Sequence, residues 1–369
     1  MYGFRPKKSS QDILLQLHHE VLNPVELPHN DKIILALDLK EAFDNFKHED
    51  TLAHLSATKC GERVFKYIRN FLTDRVVYIR IQDQKYGPYP LGMRGPPQDA
   101  VLSPLLFNLA MAQLPGHLAA VDVVKHALYA DDITLWATEE CLGSMEDSLH
   151  TAAHIVDEYA ACCGLHCSPQ KSEFMQLRPS VKCTSSINLS LHTGSINKAQ
   201  EIHVLELHIH KHRRVKTTLH KLRKLGEQVG RMVRRVSNKR GGLKSKDALR
   251  LAHAFVTSRI LYATRYLHLR KHDEHSLEVT LRKIVKRALG FPITSSNAKL
   301  HVLGAVNTYR ELREAHLKTH YTRLAQTPSV RRLLDHLHIR HEFYAKERLR
   351  VPEHWKYAIH IRPLPTNIL

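Results

Sequence analysis

Two adjacent aspartates, Asp131 and Asp132, stand inside an otherwise apolar run, HALYADDITLWAT, residues 126–138. Neighbouring carboxylates repel each other and are costly to bury. A chain that sets two of them between apolar flanks has a use for a multivalent cation there. After the pair, Ile133, Leu135 and Ala137 alternate with Thr134, Trp136 and Thr138, which is the period of a strand. The pair is therefore expected at a tight turn between two strands. A third carboxylate, Asp38, closes a second apolar run that starts at Lys32. Three carboxylates at strand ends can hold two Mg²⁺ ions close together, and that equipment suits nucleotidyl transfer. Taken alone, an Asp-Asp pair is equally a solvated hairpin turn, so its company in the chain has to decide.

The elements that must position these groups can be read from periodicity. Residues 32–38 are apolar throughout, which predicts a strand covered on both faces. Val76–Ile81 reads as another strand, closed by a Gly/Pro-rich segment through Leu91. Ser103 and Pro104 are good N-cap and first-turn residues for a helix running to about Leu114. From Ser144, the residues Met145, Leu149, Ala152, Val156, Tyr159 and Cys163 step by three and four, with Gly164 as the stop. Asp12 is placed to cap a helix carrying Ile13, Leu14 and Leu17, and residues 23–31 read as loop.

Beyond about residue 211 the chain turns basic and helical. Leu222, Leu225, Val229, Val233 and Val236 form one expected apolar stripe. Lys221, Arg223, Lys224, Arg231, Arg234, Arg235, Lys239 and Arg240 occupy much of the rest, and charge of one sign favours phosphate contact over a merely solvated face. A second helix is expected after Ser245, and a third from about Ser276 to Leu289, ended by Gly290. The whole chain carries 55 Lys+Arg against 36 Asp+Glu, a formal +19, with 28 His besides. That balance points to a polyanionic partner rather than a membrane, since no long apolar span stands out. The six cysteines show no disulfide-framework spacing and read as reduced, intracellular thiols.

Several blocks in order resemble a family. Leu37-Asp38-Leu39-Lys40-Glu41-Ala42-Phe43-Asp44 is similar to the first catalytic block of reverse transcriptases. Gly95 to Asn108 resembles the block G-x-P-Q-G-x-x-L-S-P-x-L-F-N, and the Tyr129–Asp132 turn follows. Gly164–Phe174 resembles the block that carries a lysine, and Ile202–Leu207 the hairpin that joins palm to thumb. The opening Gly3-Phe4-Arg5-Pro6 resembles a finger-region block of the non-LTR (LINE-type) retrotransposon branch. Five or six ordered blocks over roughly the first 210 residues are far more specific than any one of them.

The resemblance implies an α+β right-hand polymerase palm, an antiparallel sheet with helices on one side, with partial fingers and an all-α thumb. Its expected divisions are 1–210 for truncated fingers and palm, 211–330 for the basic helical thumb and connection, and 331–369 for a C-terminal helix or tail. It implies RNA-directed DNA synthesis from dNTPs on an RNA template and a DNA primer. Asp38, Asp131 and Asp132 would be catalytic, with Asp38, Asp131 and the Leu39 carbonyl as ligands to two Mg²⁺ ions, for which Mn²⁺ could substitute. Phe43 would stand under the sugar and select deoxynucleotides, or else be a core Phe on a helix face. Pro97, Gln98 and Tyr129 would line the nucleotide pocket. Lys171 would sit near the triphosphate, against the alternative of an ordinary surface lysine. Work inside the cell is implied, in a cytoplasmic ribonucleoprotein or the nucleus.

Some positions depart from the pattern. Asp99 stands where the family has Gly, adding bulk and negative charge beside a triphosphate. Glu206 replaces the Gly of the hairpin. The chain opens at the Gly3 block, so it reads as an N-terminally truncated copy with impaired activity. The competing class is a catalytically dead, nucleic-acid-binding relic of the same element. An intron-encoded enzyme would need a maturase segment that the sequence does not show. His208, His210 and His212 alternate as strand-borne metal ligands would, yet with so many histidines coincidence explains them better. Cys162, Cys163, Cys167 and His166 are too tightly spaced for a zinc knuckle.

Overall fold

The computed structural model describes residues 1–23, 31–97, 100–139, 141–177, 187–211, 215–237, 242–302 and 306–339. Residues 24–30 of the expected loop at 23–31 and the residues Gln98, Asp99, Cys183, His212, Lys239 and Arg240 lie outside them, as does most of the expected C-terminal segment. The chain forms two compact units. The first comprises Met1–Ile13 and Pro24–Leu205; the second comprises Leu14–Asn23 and the chain from Glu206 onward. The division thus falls five residues before the expected one at 210.

In chain order the first part runs α1 (Ser10–Leu17), a π-helical turn His18–Leu22, β1 (Asp31–Asp38), α2 (Ala42–Asn45), α3 (His48–Ala57) and α4 (Glu62–Leu72). It continues with β2 (Val76–Ile81), β3 (Gln84–Pro90), α5 (Ser103–Ala110), α6 (Leu114–Leu118), β4 (Val124–Tyr129), β5 (Asp132–Glu139) and α7 (Leu142–Cys162). Then come β6 (Glu173–Leu177), the short β7 (Ser190–Leu191), β8 (Gly194–Ser195) and β9 (Asn197–Lys198), and β10 (Glu201–Val204).

The first unit is built on a five-stranded sheet in the order β4-β5-β1-β6-β9. All its pairings are antiparallel except β6 with β9. β1 lies at the centre, and Ile33, Ile34, Leu35 and Leu37 are all buried, so both of its faces are covered. Ile33, Leu35 and Leu37, with Ile133, Leu135 and Ala137 of β5, face a single core shared with α3, α5, α6 and α7. Because strand residues alternate, Asp38 and Asp132 lie on the opposite face, away from those helices. α7 follows the expected stripe, with Met145, Leu149, Ala152 and Val156 buried and Gly164 in the left-handed region just past its end.

Four local expectations need correction. The Gly/Pro-rich stretch after Ile81 is a strand, β3, paired with β2 with a register shift between Val77 and Ile79. Prolines are tolerated there because each strand of a two-stranded ribbon has a free edge. Ser103 is the first helical residue of α5 rather than its N-cap; Leu102 holds that position, and the Ser103 hydroxyl donates instead to the Pro97 carbonyl at 2.7 Å. The helix also stops at Ala110, with α6 as a separate turn. Asp12 lies inside the first turn of α1, where its carboxylate accepts from the Ser9 N–H at 2.9 Å, so it closes the turn from within.

The second unit contains β11 (Leu207–His210), α8 (Lys216–Val236), α9 (Ser245–Ala252), a π-helical turn His253–Thr257 and α10 (Ser258–Thr264). α11 (Lys271–Ala288), α12 (Asn297–Val302), α13 (Tyr309–Gln326) and α14 (Pro328–His336) follow. α11 starts five residues earlier than the apolar spacing suggests, because the Asp273 carboxylate accepts from the Arg270 N–H and closes a capping box. The buried side of α8 also differs from the expected stripe. It runs through Thr218, Leu222, Gly226, Gly230 and Val233, while Val236 is exposed. A Cβ on Gly226 would meet the Thr280 methyl at 2.8 Å, and one on Gly230 would meet the Arg287 side chain at 2.7 Å. The two glycines therefore let α8 and α11 approach closely, a contact that apolar periodicity does not reveal. Residues 14–23 join this unit through the His18–Tyr266 ring contact and the Glu20–His336 pair at 2.8 Å.

Candidate active site

The site is assembled by strand register. Asp38, the last residue of β1, pairs directly with Asp132, the first of β5. Asp132 also pairs with Tyr129 across the β4–β5 hairpin, so the loop between them is only Ala130 and Asp131. Ala130 takes φ +54°, which lets two residues reverse the chain. Asp131 at the turn and Asp132 beside it are exposed, and Asp38 is half-buried. Like charges set directly opposite one another across a sheet are destabilising unless a counter-charge is present. The expected strand–Asp and turn–Asp pattern is thus reproduced, and the carboxylates come from neighbouring strands.

Asp38 is fixed through its backbone by a distant segment. Its N–H donates to the fully buried Ser172 hydroxyl at 3.1 Å, and its carbonyl accepts from the Ser168 N–H at 2.9 Å. Next to it, the Lys40 N–H donates to His166, and Leu39 bridges to Cys167. The same segment carries Lys171, whose ammonium lies 3.8 Å from Asp38 Oδ2. The separation exceeds hydrogen-bond distance and the lysine side chain is largely exposed, so the attraction is weak although Asp38 Oδ2 itself is covered. Buried Cys167 has its thiol pKa pushed up by desolvation first and by Asp157 and Asp38 after that. Sequence reasoning had no reason to single out Ser168 or Ser172; their sole signal is proximity to the lysine block.

The N-terminal block braces the aspartate turn from behind. The Tyr2 N–H donates to the Leu128 carbonyl at 2.7 Å, and Asn108 Nδ2 donates to the Gly3 carbonyl at 2.9 Å. A Cβ on Gly3 would lie 2.5 Å from the Ala130 nitrogen, so the chain can pass here with no side chain. Phe43 sits on α2, edge-on to Phe4 at 6.4 Å and tilted against Phe107 at 4.7 Å. It is half-buried at the margin of the core. Gly95 packs on the α2 turn: its φ is +58°, and a Cβ would meet the carbonyls of Phe43 and Asp44 at 2.7 Å. The Gly95 carbonyl is held by His48 Nε2 at 2.7 Å and by Arg75 at 2.8 Å. Burial pushes the His48 pKa below its ordinary value. Pro97 continues this strand of chain, half-buried, whereas Gln98 and Asp99 fall outside the described residues.

Among the described residues, no three His, Cys, Asp or Glu side chains surround a single metal position. The donor chemistry nevertheless fits a hard divalent cation. Asp38 Oδ2 is inaccessible to solvent and accepts no hydrogen bond, and carboxylate oxygens are the preferred ligands of Mg²⁺. In the second unit Lys221, Arg223, Lys224, Arg231, Arg234 and Arg235 are all exposed on α8. Helical geometry sets Lys221, Lys224, Arg231 and Arg235 opposite the buried Leu222–Val233 side. Lys221 also contacts His208 at 3.2 Å. No helix of the described residues is long and apolar enough to cross a membrane. The described cysteines are free thiols.

A family profile described as "Reverse transcriptase (RNA-dependent DNA polymerase)" matches residues 1–209, more than half of the chain. The chain is 27% identical over 137 residues to the RNA-directed DNA polymerase from mobile element jockey of Drosophila melanogaster, covering 36% of this chain and 14% of that protein. It is 27% identical over 183 residues to the probable RNA-directed DNA polymerase from transposon BS of the same species, covering 46% and 19%. It thus spans less than a fifth of the length of these relatives. A telomerase structure from Candida tropicalis aligns at 12% identity and TM-score 0.37, over 92% of this chain and 53% of that one, a likeness too distant to carry an argument. The sheet-borne aspartates, the ordered blocks and the profile match agree: the chain belongs to the reverse transcriptase (RNA-dependent DNA polymerase) family.

Proposed function

We propose that this chain is the palm-and-thumb part of an RNA-directed DNA polymerase that extends a DNA primer on an RNA template. The observation that carries the reading is the register that sets Asp38 opposite Asp132, with Asp131 in the adjoining two-residue turn. Asp38 and Asp131, with the Leu39 carbonyl, would hold two Mg²⁺ ions, which when bound lower the pKa of the primer 3′-hydroxyl and stabilise the pyrophosphate leaving group. Asp132 supports the turn and adds negative potential. The half-buried Phe43 ring would limit the space beside the sugar, with Pro97, Gln98 and Tyr129 around the base and template. Lys171, already drawn to Asp38, would turn its ammonium to the triphosphate and donate a proton to the departing pyrophosphate.

The first unit is read as palm with partial fingers, and the helical second unit as thumb. Arg231, Arg234, Arg235 and their neighbours on α8 would track duplex phosphates without reading sequence. A polymerase acting on RNA and DNA would work in a cytoplasmic ribonucleoprotein or the nucleus. Primer extension on poly(rA)/oligo(dT) by the purified chain tests the reading, with Asp131→Asn as control. Metal-dependent extension that Asp131→Asn abolishes is the expected result. Extension that survives Asp131→Asn would overturn the assignment of the carboxylates. Binding of hybrid without any extension would favour the catalytically dead relic.

A further inference from the structure

A second site lies in the first unit, on the helical side of the sheet and independent of the polymerase reading. A cavity of about 690 Å³ opens between α3, α6 and α7, within the size range of small-molecule pockets. Its lining is unlike the rest of this protein. In a chain with 55 Lys+Arg, none of the lining residues is Lys or Arg, yet two are carboxylates: Asp50, and the exposed Glu158, which also lies 3.7 Å from His192 Nε2. Asp50 and His54 sit one turn apart on α3, so both project from the same face of that helix. Asp50 Oδ2 and His54 Nδ1 are each inaccessible to solvent and have no hydrogen-bond partner. Leaving a buried acceptor unsatisfied is unfavourable, more so for a charged group. Apart from the polar Gln113, most of the remaining wall is apolar or aromatic: Ala53, Ala120 and Ile155, with His117 and Tyr159 whose rings lie 5.8 Å apart.

We propose that this cavity binds a small organic cation, an alkylammonium or guanidinium compound. Its N–H groups donate to the Asp50 and Glu158 carboxylates, and its hydrocarbon body lies along Ile155 and the His117 and Tyr159 rings. The same two carboxylates disfavour a phosphate or carboxylate ligand.

Cys162 is exposed and lines the cavity, whereas Cys141 is exposed at the opposite end of α7, so the two thiols form a reporter and a reference. Alkylation by N-ethylmaleimide, followed thiol by thiol by peptide mass spectrometry, is measured with spermidine or with the neutral heptanediol. Mass action predicts about an elevenfold slowing at Cys162 when spermidine is at ten times its Kd, with no change at Cys141. Heptanediol should give no protection, and the Asp50→Asn/Glu158→Gln variant should lose the protection by spermidine. The proposal is overturned if spermidine protects neither thiol into the millimolar range. Equal protection of Cys141, or equal protection by heptanediol, also overturns it. These wild-type readings decide the question even if the double variant does not fold.

Discussion

Replacing Gly3 by alanine probes how tightly the aspartate turn is held. The new methyl would sit 2.5 Å from the Ala130 nitrogen, 0.9 Å short of the 3.4 Å at which ordinary contact begins. Gly3 cannot simply withdraw, because Tyr2 is bonded to Leu128 on one side and Asn108 holds the Gly3 carbonyl on the other. The strain therefore falls on the Ala130-Asp131 loop. Overpacking of this kind costs about 1–3 kcal/mol. A reacting group displaced by ~1 Å loses roughly a hundredfold in rate. Gly3→Ala should therefore lower kcat in primer extension by about two orders of magnitude while destabilising the fold by only that modest amount. Gly143→Ala is the control, since nothing lies within 4 Å of a Cβ there and the residue is in helix α7. It should leave both extension and the urea midpoint close to parental, since Gly143 lies in the first turn of the helix. Gly3→Ala with parental kcat and parental urea midpoint would refute the brace.

Gly95→Ala should be harsher, about 3 kcal/mol or more in urea unfolding, because it combines φ +58° with contacts of 2.7 Å to the Phe43 and Asp44 carbonyls. Glu206→Gly should stabilise by about 1 kcal/mol in the same measurement, since Glu206 holds φ +67° where an L-residue is strained; an unchanged midpoint would count against it. Reversing Arg231, Arg234 and Arg235 to Glu should weaken RNA–DNA hybrid binding for every sequence alike and flatten the salt dependence, by about 0.9 in log–log slope for each phosphate no longer neutralised. His48 and His253 have pKa values lowered by burial from 6.5, so the unfolded chain binds more protons below that pH. Stability should therefore fall as the solution is acidified from about pH 7 to 5, and Gln at either position should blunt the loss.

The placement of the aspartates was readable because it is written in contiguous residues. A strand that ends in Asp38 and a two-residue loop that ends in Asp131 each carry their period beside them, and register does the rest. The long helix α7 was equally plain, since its stripe is unbroken from Met145 to Val156. What escaped depended on partners far off in sequence. Nothing near Asp38 indicates that Ser168 and Ser172 hold its backbone. The buried side of α8 runs through Gly226 and Gly230, which an apolar stripe passes over, because the close approach to α11 is made by what the glycines lack. β3 was hidden by Gly87, Pro88 and Pro90, residues that usually argue for a loop.

The central place of β1 has a consequence for the order of events during synthesis. This strand leaves the ribosome well before its neighbours, since both β5 and β6 are encoded far downstream, with Asp132 paired to Asp38 across 94 residues. At 5–20 residues per second, roughly 5–20 s pass before even the nearer of those partners exists. Throughout that interval the segment Lys32–Asp38 is a short, very apolar, β-prone stretch with two unsatisfied edges, the composition that favours intermolecular pairing. Nascent chains should therefore depend on chaperone shielding of this segment. Slowing translation between residues 40 and 130 should increase aggregation, whereas slowing it after residue 200 should not.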